Sequence, residues 1–222
     1  MSSPDAQELE TIYSRRFRDN QEYRRRVWRV LVKHVFQQYI PPNGSVLDLG
    51  CGHGEFINAI KAATKHGMDL NPASAQHLAP EVHLMRQDCS EKWQLPDASL
   101  DAVFTSNFFE HLPDKAALGR TLQQARRCLK SGARLIAMGP NIKYLPGAYW
   151  DFWDHYLPLT ETSLCEGLSA NGFVIEQSHP RFLPYTMVKS RQYPDFMLVG
   201  YLKAPLIWRL FGKQFLVIAK KS

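Results

Sequence analysis

The fold is decided by the stretch Val46-Leu47-Asp48-Leu49-Gly50-Cys51-Gly52-His53-Gly54. Its first four residues are too short and too apolar for a helix and predict a buried strand. Three glycines on alternate positions then predict a turn, and residues 55–60 (EFINAI) predict the start of a helix. A strand, a glycine turn and a helix N-terminus let a nucleotide-like ligand approach bare backbone N–H groups. Glu55 stands where the dinucleotide fingerprint has its third glycine, so a purely structural turn is the alternative.

Two further candidate strands end in carboxylates. Residues 64–68 lead to Asp69, which lies 19 residues after Gly50, and residues 82–87 lead to Asp88. An acidic side chain at this separation from the turn can accept hydrogen bonds from ribose hydroxyls. Because the carboxyl ends of parallel strands share one edge of a sheet, we expect both carboxylates in one crevice of a doubly wound sheet.

These segments resemble the motifs of the class I S-adenosylmethionine (SAM)-dependent methyltransferases. The similar segments are residues 46–54, 67–72, 87–89, 100–104 and 129–135, and the resemblance covers roughly residues 44–180. It implies a Rossmann-like α/β fold, with a mostly parallel seven-stranded sheet and helices on both faces. It also implies an enzyme that uses SAM as methyl donor and releases S-adenosylhomocysteine.

The resemblance further implies which residues bind SAM. The backbone of residues 50–54 is expected at its amino-acid end, Asp69 at the ribose, and Asp88 with Cys89 at the adenine. The loop after the fourth strand is expected to cover the methyl-bearing side. The full expected set is Asp48, Gly50, Cys51, Gly52, Gly54, Asp69, Leu70, Asp88, Cys89, Ser106 and Asn107.

The loop after the fourth strand, residues 105–113 (TSNFFEHLP), also bears on the acceptor. DNA and RNA amino-methyltransferases usually carry a proline pair before an aromatic residue there, and this chain lacks the prolines. The pair Glu110-His111 resembles small-molecule members, among them ubiquinone-pathway O-methyltransferases in which a nearby acid helps to bind a metal. Asn107 occupies that position here, so we expect no metal.

An aromatic loop follows the fifth predicted strand (134–138) and ends near Asp154, His155 and Tyr156. Loops beyond the carboxyl ends of strands carry function in this fold. His155 is the first candidate for a general base because imidazole titrates near neutral pH, and His111 is the second. The alternative for both histidines is a packing or positioning role.

A basic amphipathic helix is predicted over residues 15–33, and Pro41-Pro42 end it. We interpret residues 1–42 as an N-terminal basic helical extension of a domain that spans 43–222. The helix either caps the sheet with its arginines in water or binds a phosphate-bearing substrate, anionic lipid or nucleic acid. Its basic residues are Arg15, Arg16, Arg18, Arg24, Arg25, Arg26, Arg29 and Lys33.

The last two predicted strands, 173–177 and 215–219, are separated by a long segment where the family usually has a tight hairpin. The segment is rich in large apolar residues, and Pro184, Pro194 and Pro205 divide it into short pieces. We expect a lid-like, largely helical insertion at about 181–214 over a partly apolar acceptor pocket. The alternative is contact with a membrane surface or a lipid-linked substrate, since aromatic residues beside Lys and Arg suit that boundary.

Composition limits the class of protein. The 222 residues, 45% hydrophobic and 22% charged with a net charge of +6, suit one globular domain. The four cysteines form no C-x-x-C pair, which argues against a disulfide framework or a zinc site. Neither a signal peptide nor a spanning apolar run is visible, so we expect a cytoplasmic protein, with peripheral membrane contact as an alternative.

The functional expectation is methyl transfer from SAM to an O, N or C nucleophile of a small-molecule acceptor, such as a natural product, sugar or lipid-linked intermediate. The C-terminal part also looks like bacterial methyltransferases of surface-glycan and secondary-metabolite pathways. The alternatives are a tRNA- or rRNA-directed or membrane-surface methyltransferase that uses the basic helix, a nicotinamide oxidoreductase, and a SAM-binding module without catalysis. The acceptor and the oligomeric state stay open.

Overall fold

The computed structural model describes residues 21–185 and 192–222. Arg15, Arg16 and Arg18 of the predicted basic helix lie outside the described residues. The same holds for residues 186–191 of the predicted insertion.

Seven strands form one sheet, as the sequence predicted. The sheet has the order β3-β2-β1-β4-β5-β7-β6, and β7 runs antiparallel to both of its neighbours while the other pairs are parallel. This order places the carboxyl ends of β1, β2, β3 and β4 side by side. The strands are β1 Ser45–Leu49, β2 Thr64–Met68, β3 Val82–Met85, β4 Leu100–Ser106, β5 Leu129–Pro140, β6 Phe173–His179 and β7 Gln214–Lys221.

Helices cover both faces of the sheet. The described helices are α1 Gln21–Leu31, α2 Glu55–Ala59, α3 Lys115–Cys128, α4 Glu161–Ala170, α5 Asp195–Leu202 and α6 Pro205–Phe211. One apolar core lies between the sheet and α3 with α4, and a second lies between the sheet and α1 with α2. The predicted α/β architecture with helices on both faces is therefore confirmed.

Local signals explain where the helices of the first face begin. The side chain of Asp114 accepts a hydrogen bond from the N–H of Ala117 at 2.7 Å, which caps α3. At α4, Thr160 and Ser163 exchange side-chain and backbone bonds in a capping box. β5 starts five residues before the predicted start at residue 134. Gly132 adopts a left-handed φ of 75°, which lets the strand continue through an irregularity in its pairing with β4.

The N-terminal helix α1 belongs to the core of the domain. Trp28 packs edge-on against Phe104 of β4, with ring centroids 5.9 Å apart, and Phe36 packs against the same ring at 5.0 Å. The chain remains helical beyond α1, through a π-helical turn at Val32–Phe36 and a 3₁₀ turn at Gln37–Tyr39. The core thus runs across the boundary predicted between residues 42 and 43.

Two of the predicted basic residues on α1 form ion pairs within the protein. Arg24 contacts Glu55 at the start of α2, with 2.9 Å between nitrogen and oxygen. Arg26 contacts Asp195 of α5 at 3.2 Å and donates to the carbonyl of Tyr193 at 2.7 Å. The helix therefore caps the sheet, and its arginines also tie other segments to it.

The predicted insertion contains the two short helices α5 and α6. Leu198, Leu202 and Trp208 pack against the core beneath α1, and Phe182 is fully buried there. Its placement as a lid over an acceptor pocket stays a prediction. In the part of the chain that the structure describes, no helix has both the length and the apolar character needed to cross a bilayer.

Candidate functional site

The glycine turn after β1 is held in a conformation that favours glycine. Gly50 and Gly52 have φ values of 73° and 50°, both in the left-handed region. The N–H groups of Gly50 and Cys51 donate to the carbonyl of Met68 at 2.9 and 3.1 Å, which fixes the turn to the end of β2. A Cβ on Gly50 would come within 2.3 Å of the ring of Phe108. The loop after β4 therefore lies directly on the turn.

Asp69 stands beside the turn, as predicted. One carboxylate oxygen, Oδ2, accepts the N–H of Gly52 at 2.7 Å, and the other, Oδ1, accepts the N–H of Asn71 at 2.8 Å. Burial raises the pKa of Asp69, and the two backbone donors and nearby His111 oppose that rise. Each carboxylate oxygen has a second lone pair, so Asp69 can still accept hydrogen bonds from a ligand.

Acidic and basic side chains lie close to one another next to the glycine turn. Asp48, at the end of β1, is 4% exposed, and burial raises its pKa well above the usual value, with Glu55 and Asp69 adding to the rise. The N–H of Ile57 in α2 donates to Asp48 and opposes the shift. Arg24 neutralises Glu55 from the other side. Asp48 thus joins the turn to α2, and its direct contact with a ligand stays a prediction.

The other residues expected at the cofactor are spread along the same edge. Leu70 is 40% exposed beside Asp69, and Asp88 accepts the N–H of Ser90 at 2.7 Å. The thiol of Cys89 points into the core, where Thr121 of α3 donates to it at 3.4 Å and burial raises its pKa to about 12. Cys51 is also buried, so both cysteines offer this edge their backbone groups.

The end of β4 carries the remaining two expected residues. Asn107 has a left-handed φ of 50°, which is unusual for a residue with a side chain. Its N–H donates to the carbonyl of Met138 on β5 at 2.9 Å, and its side-chain amide donates to the hydroxyl of Ser106 at the same distance. The chain turns sharply here, and the next residues enter the crevice.

A polar cluster follows, formed by Glu110, His111, Asp154 and His155. Nδ1 of His111 lies 2.7 Å from the backbone carbonyl oxygen of Asp154 and 3.3 Å from its Oδ2. The carbonyl of Glu110 accepts the N–H groups of Tyr156 and Leu157. The aromatic loop is thereby held against the turn at Phe109–His111.

The two candidate bases differ in their surroundings. His155 is 7% exposed, and its ring stacks on Phe152 with centroids 4.9 Å apart. It also lies 4.7 Å from the ring of Tyr149 and 5.1 Å from that of His111. His111 is half-buried, and a positive charge on it lowers the pKa of Asp69. The ring of Phe108, three residues before His111, meets Gly50, so the loop that carries His111 lies on the glycine turn.

Comparison with known proteins identifies the family. A family model described as "Methyltransferase domain" matches residues 20–178, which is more than half of the chain. The chain belongs to the class I SAM-dependent methyltransferases. The match begins in front of α1, in agreement with the packing of that helix in the core.

Curated relatives and a solved structure agree with this family. A "probable S-adenosylmethionine-dependent methyltransferase" of Mycolicibacterium smegmatis is 30% identical over 60% of this chain and 53% of its own length. A 2-methyl-6-phytyl-1,4-hydroquinone methyltransferase of Synechocystis is 27% identical over 61% and 48%. The chain spans about half the length of these relatives. A SAM-dependent methyltransferase of Archaeoglobus fulgidus has the same fold, with a TM-score of 0.67, 23% identity and coverage of 92% and 99%.

The residues at the glycine turn fit SAM, the methyl donor that the family uses. The left-handed glycines expose backbone along the turn, Asp69 keeps lone pairs for ribose hydroxyls, and Leu70 offers an apolar surface beside it. The carboxylate of Asp69 adds negative charge beside the turn, which suits the cationic sulfonium and ammonium groups of SAM.

The polar cluster of this methyltransferase domain also contains donors that could hold a metal ion. Glu110, His111 and His155 each offer one ligand atom, and these atoms lie within 4.8 Å of one another. Burial raises the pKa of Glu110 to about 7, and His111 opposes the rise. The absence of a metal, expected because Asn107 replaces an acid, stays a prediction.

Sequence reasoning missed two features of the site. It placed the arginines of α1 on an outer face, but Arg24 reaches Glu55 under the turn. It treated Asp154 only as a neighbour of His155, whereas Asp154 is 2% exposed and contacts His111. The one hint of the Arg24–Glu55 ion pair in the sequence was Glu55 itself, an acid at the start of α2.

Proposed function

We propose that this protein transfers the methyl group of SAM to an O, N or C nucleophile of a partly apolar small-molecule acceptor. One observation supports the proposal: the imidazole of His111 pairs with Asp154, and the loop that carries it lies on the glycine turn through the ring of Phe108. A group able to accept a proton is thus close to the expected position of the methyl donor.

The chemistry asks mainly for alignment. SAM supplies an activated methyl group and a good leaving group, since the electron pair of the breaking carbon–sulfur bond stays on sulfur. The protein has to hold donor and acceptor in line, which the rigid turn at Gly50–Gly54 and the loop at Asn107 support. A hydroxyl acceptor must also lose its proton, and a side-chain base can take it.

His111 is the better candidate for that base. The carbonyl of Asp154 can only accept, so the Nδ1 at 2.7 Å from it carries a hydrogen. In the neutral ring the lone pair is then on Nε2, which is the nitrogen able to take a proton. The Oδ2 of Asp154, 3.3 Å from Nδ1, is a second acceptor beside that nitrogen. We assign His155, stacked on Phe152, to positioning this pair.

The acceptor class follows from the aromatic loop. Trp150 and Trp153 are 56% and 78% exposed, and Tyr156 is 43% exposed. These large side chains leave apolar surface next to the polar cluster, which suits a ring or alkyl chain with one nucleophilic group. The Synechocystis relative is named for such a molecule, a phytyl-substituted hydroquinone.

The nucleic-acid alternative has less support. A basic helix that bound RNA phosphates would keep its cations available, but Arg24 and Arg26 are paired within the protein. Arg25, Arg29 and Lys33 are the exposed cations of this region among the described residues.

The test measures S-adenosylhomocysteine formation from SAM with a panel of phenolic acceptors, for wild type, His111→Gln, His155→Gln and the exposed control His34→Gln. We expect His111→Gln to lower kcat about a hundredfold without changing SAM affinity, and His34→Gln to have no effect. If both site variants keep full turnover, alignment alone drives the reaction. If SAM binds and no acceptor is methylated, the protein is a binding module.

A further inference from the structure

Two short helices present an unusual surface. Six large apolar side chains of α5 and α6 point away from the protein, and together they form what we call the α5–α6 face. Phe196, Leu206 and Leu210 are each about three-quarters exposed, at 75%, 75% and 74%. The other members of the face are Met197, Ile207 and Phe211, at 48%, 39% and 60%. Side chains of this size are normally buried, and a contiguous exposed group of them marks an interaction surface.

The face is held in place from below. Trp208 is the inward side chain of α6, and its ring packs edge-on against the buried Phe182 with centroids 4.9 Å apart. Its Nε1–H donates to the carbonyl of Tyr201 in α5 at 2.8 Å. The guanidinium of Arg181 donates to the carbonyl of Arg209. The exposed apolar side chains are therefore presented by anchored helices.

The helical spacing explains why the apolar side chains face outward. Leu206 and Leu210 are four residues apart, as are Ile207 and Phe211, so the two pairs lie side by side on α6. Trp208, between them in sequence, takes the inward side. α6 therefore faces the protein through Trp208 and exposes four large apolar side chains to water.

Three cations lie in or next to α6. Lys203 precedes α6, Arg209 lies within it and Lys213 follows it, and all three are exposed. Asp195 is the single acid in residues 192–214, and it pairs with Arg26 of α1. The three cations form no ion pair with any residue that the structure describes. The α5–α6 face thus combines exposed apolar side chains with exposed positive charge.

We propose that the α5–α6 face docks onto the surface of an anionic lipid bilayer. Aromatic and aliphatic side chains enter the headgroup boundary, while Lys and Arg contact acidic headgroups, as in interfacial helices. The net charge of +6 favours the same partner. This inference concerns where the protein sits and does not depend on the reaction proposed above.

A second copy of the chain is a worse occupant for this face. In a two-fold contact the same patch meets itself, so Lys203, Arg209 and Lys213 would approach their own copies. Like charges brought together oppose association, whereas acidic headgroups relieve that repulsion. The positive charge of the α5–α6 face therefore favours an anionic lipid surface over a second copy of the chain.

The test is co-sedimentation of the full chain with vesicles of phosphatidylcholine, with and without phosphatidylglycerol. We expect wild type to bind the anionic vesicles and to be released by salt. Leu206→Ser with Leu210→Ser should weaken binding at least tenfold, and the control Val174→Ser, at a 57% exposed site on β6, should not. Arg209→Gln with Lys213→Gln should remove the preference for phosphatidylglycerol. Arg25→Gln with Lys33→Gln makes the same charge change on the N-terminal helical segment and should reduce this preference less.

Several results would overturn the proposal. Wild type that stays in the supernatant with anionic vesicles rules it out, as does an equal loss in the Arg25/Lys33 control. A wild type that self-associates without vesicles, and becomes monomeric in the Leu206/Leu210 variant, means that a second copy covers the face. Unchanged thermal unfolding and SAM affinity in each variant show that a loss of binding is not a loss of fold.

Discussion

Replacing Glu110 by glutamine should change how stability depends on pH. The residue is 4% exposed, and burial raises the pKa of its carboxyl from 4.5 to about 7, with Asp154 adding to the rise and His111 opposing it. In the unfolded chain the same group titrates near its ordinary value. Between the two values the folded protein binds more protons than the unfolded chain, so the free energy of unfolding falls as pH rises through this window.

The size of the effect follows from the shift. A difference of about 2.5 pKa units corresponds to about 3 kcal/mol, which wild type loses between roughly pH 4.5 and 7. Glu110→Gln has no proton to lose, so it should equal wild type near pH 4 and exceed its stability by up to about 3 kcal/mol above pH 7. The assay is urea unfolding across pH, with the exposed Glu91→Gln as control. If the free energy of unfolding has the same pH dependence in wild type and Glu110→Gln, the pKa of Glu110 is not raised by folding.

Two further predictions concern the glycine turn. Gly50→Ala should weaken SAM binding at least tenfold and lower the melting temperature by several degrees, because its Cβ would meet Phe108 at a left-handed φ. Calorimetry checks this, with Gly200→Ala, whose Cβ has open space, as the variant that should stay unchanged. A double-mutant cycle of Arg24→Gln and Glu55→Gln, followed by urea unfolding, should give a coupling of about 1–2 kcal/mol. Additive effects would mean that the pair contributes nothing.

The order of elements could be predicted from the sequence because their signals are local. The short apolar run in front of the glycine turn predicts β1, and the 46–60 stretch folds as expected. Thr160 marks the start of α4 by its own hydrogen bonds. The start of β5 was predicted five residues too late because a glycine at residue 132 favours a turn, whereas the strand already pairs with β4 at Leu129.

The site was harder to predict because its contacts join distant parts of the chain. His111 and Asp154 are 43 residues apart, and nothing in either segment shows that the aromatic loop turns back to the end of β4. The sequence therefore favoured His155, which has an acid next to it. In the folded protein that acid contacts His111 instead, and His155 stacks on Phe152.

The insertion at about 181–214 shows a second limit of prediction from the sequence. Its apolar composition predicted burial, but a sequence does not tell which side of a short helix meets the protein. Trp208 anchors α6 to Phe182, and the more exposed Leu206 and Leu210 remain outside. The sequence favoured a lid and kept membrane contact as the alternative, and the exposure of Leu206 and Leu210 is the observation that supports the docking proposal.

Calorimetry with S-adenosylhomocysteine on Asp69→Ala tests whether Asp69 and the glycine turn form the SAM site. Loss of a hydrogen bond to a charged group predicts that binding weakens by about 1.5–3 kcal/mol, or roughly ten- to a hundredfold in Kd. The control Asp97→Asn, on an exposed loop, should bind like wild type. If Asp69→Ala folds and binds S-adenosylhomocysteine as tightly as wild type, the SAM site lies elsewhere in the protein.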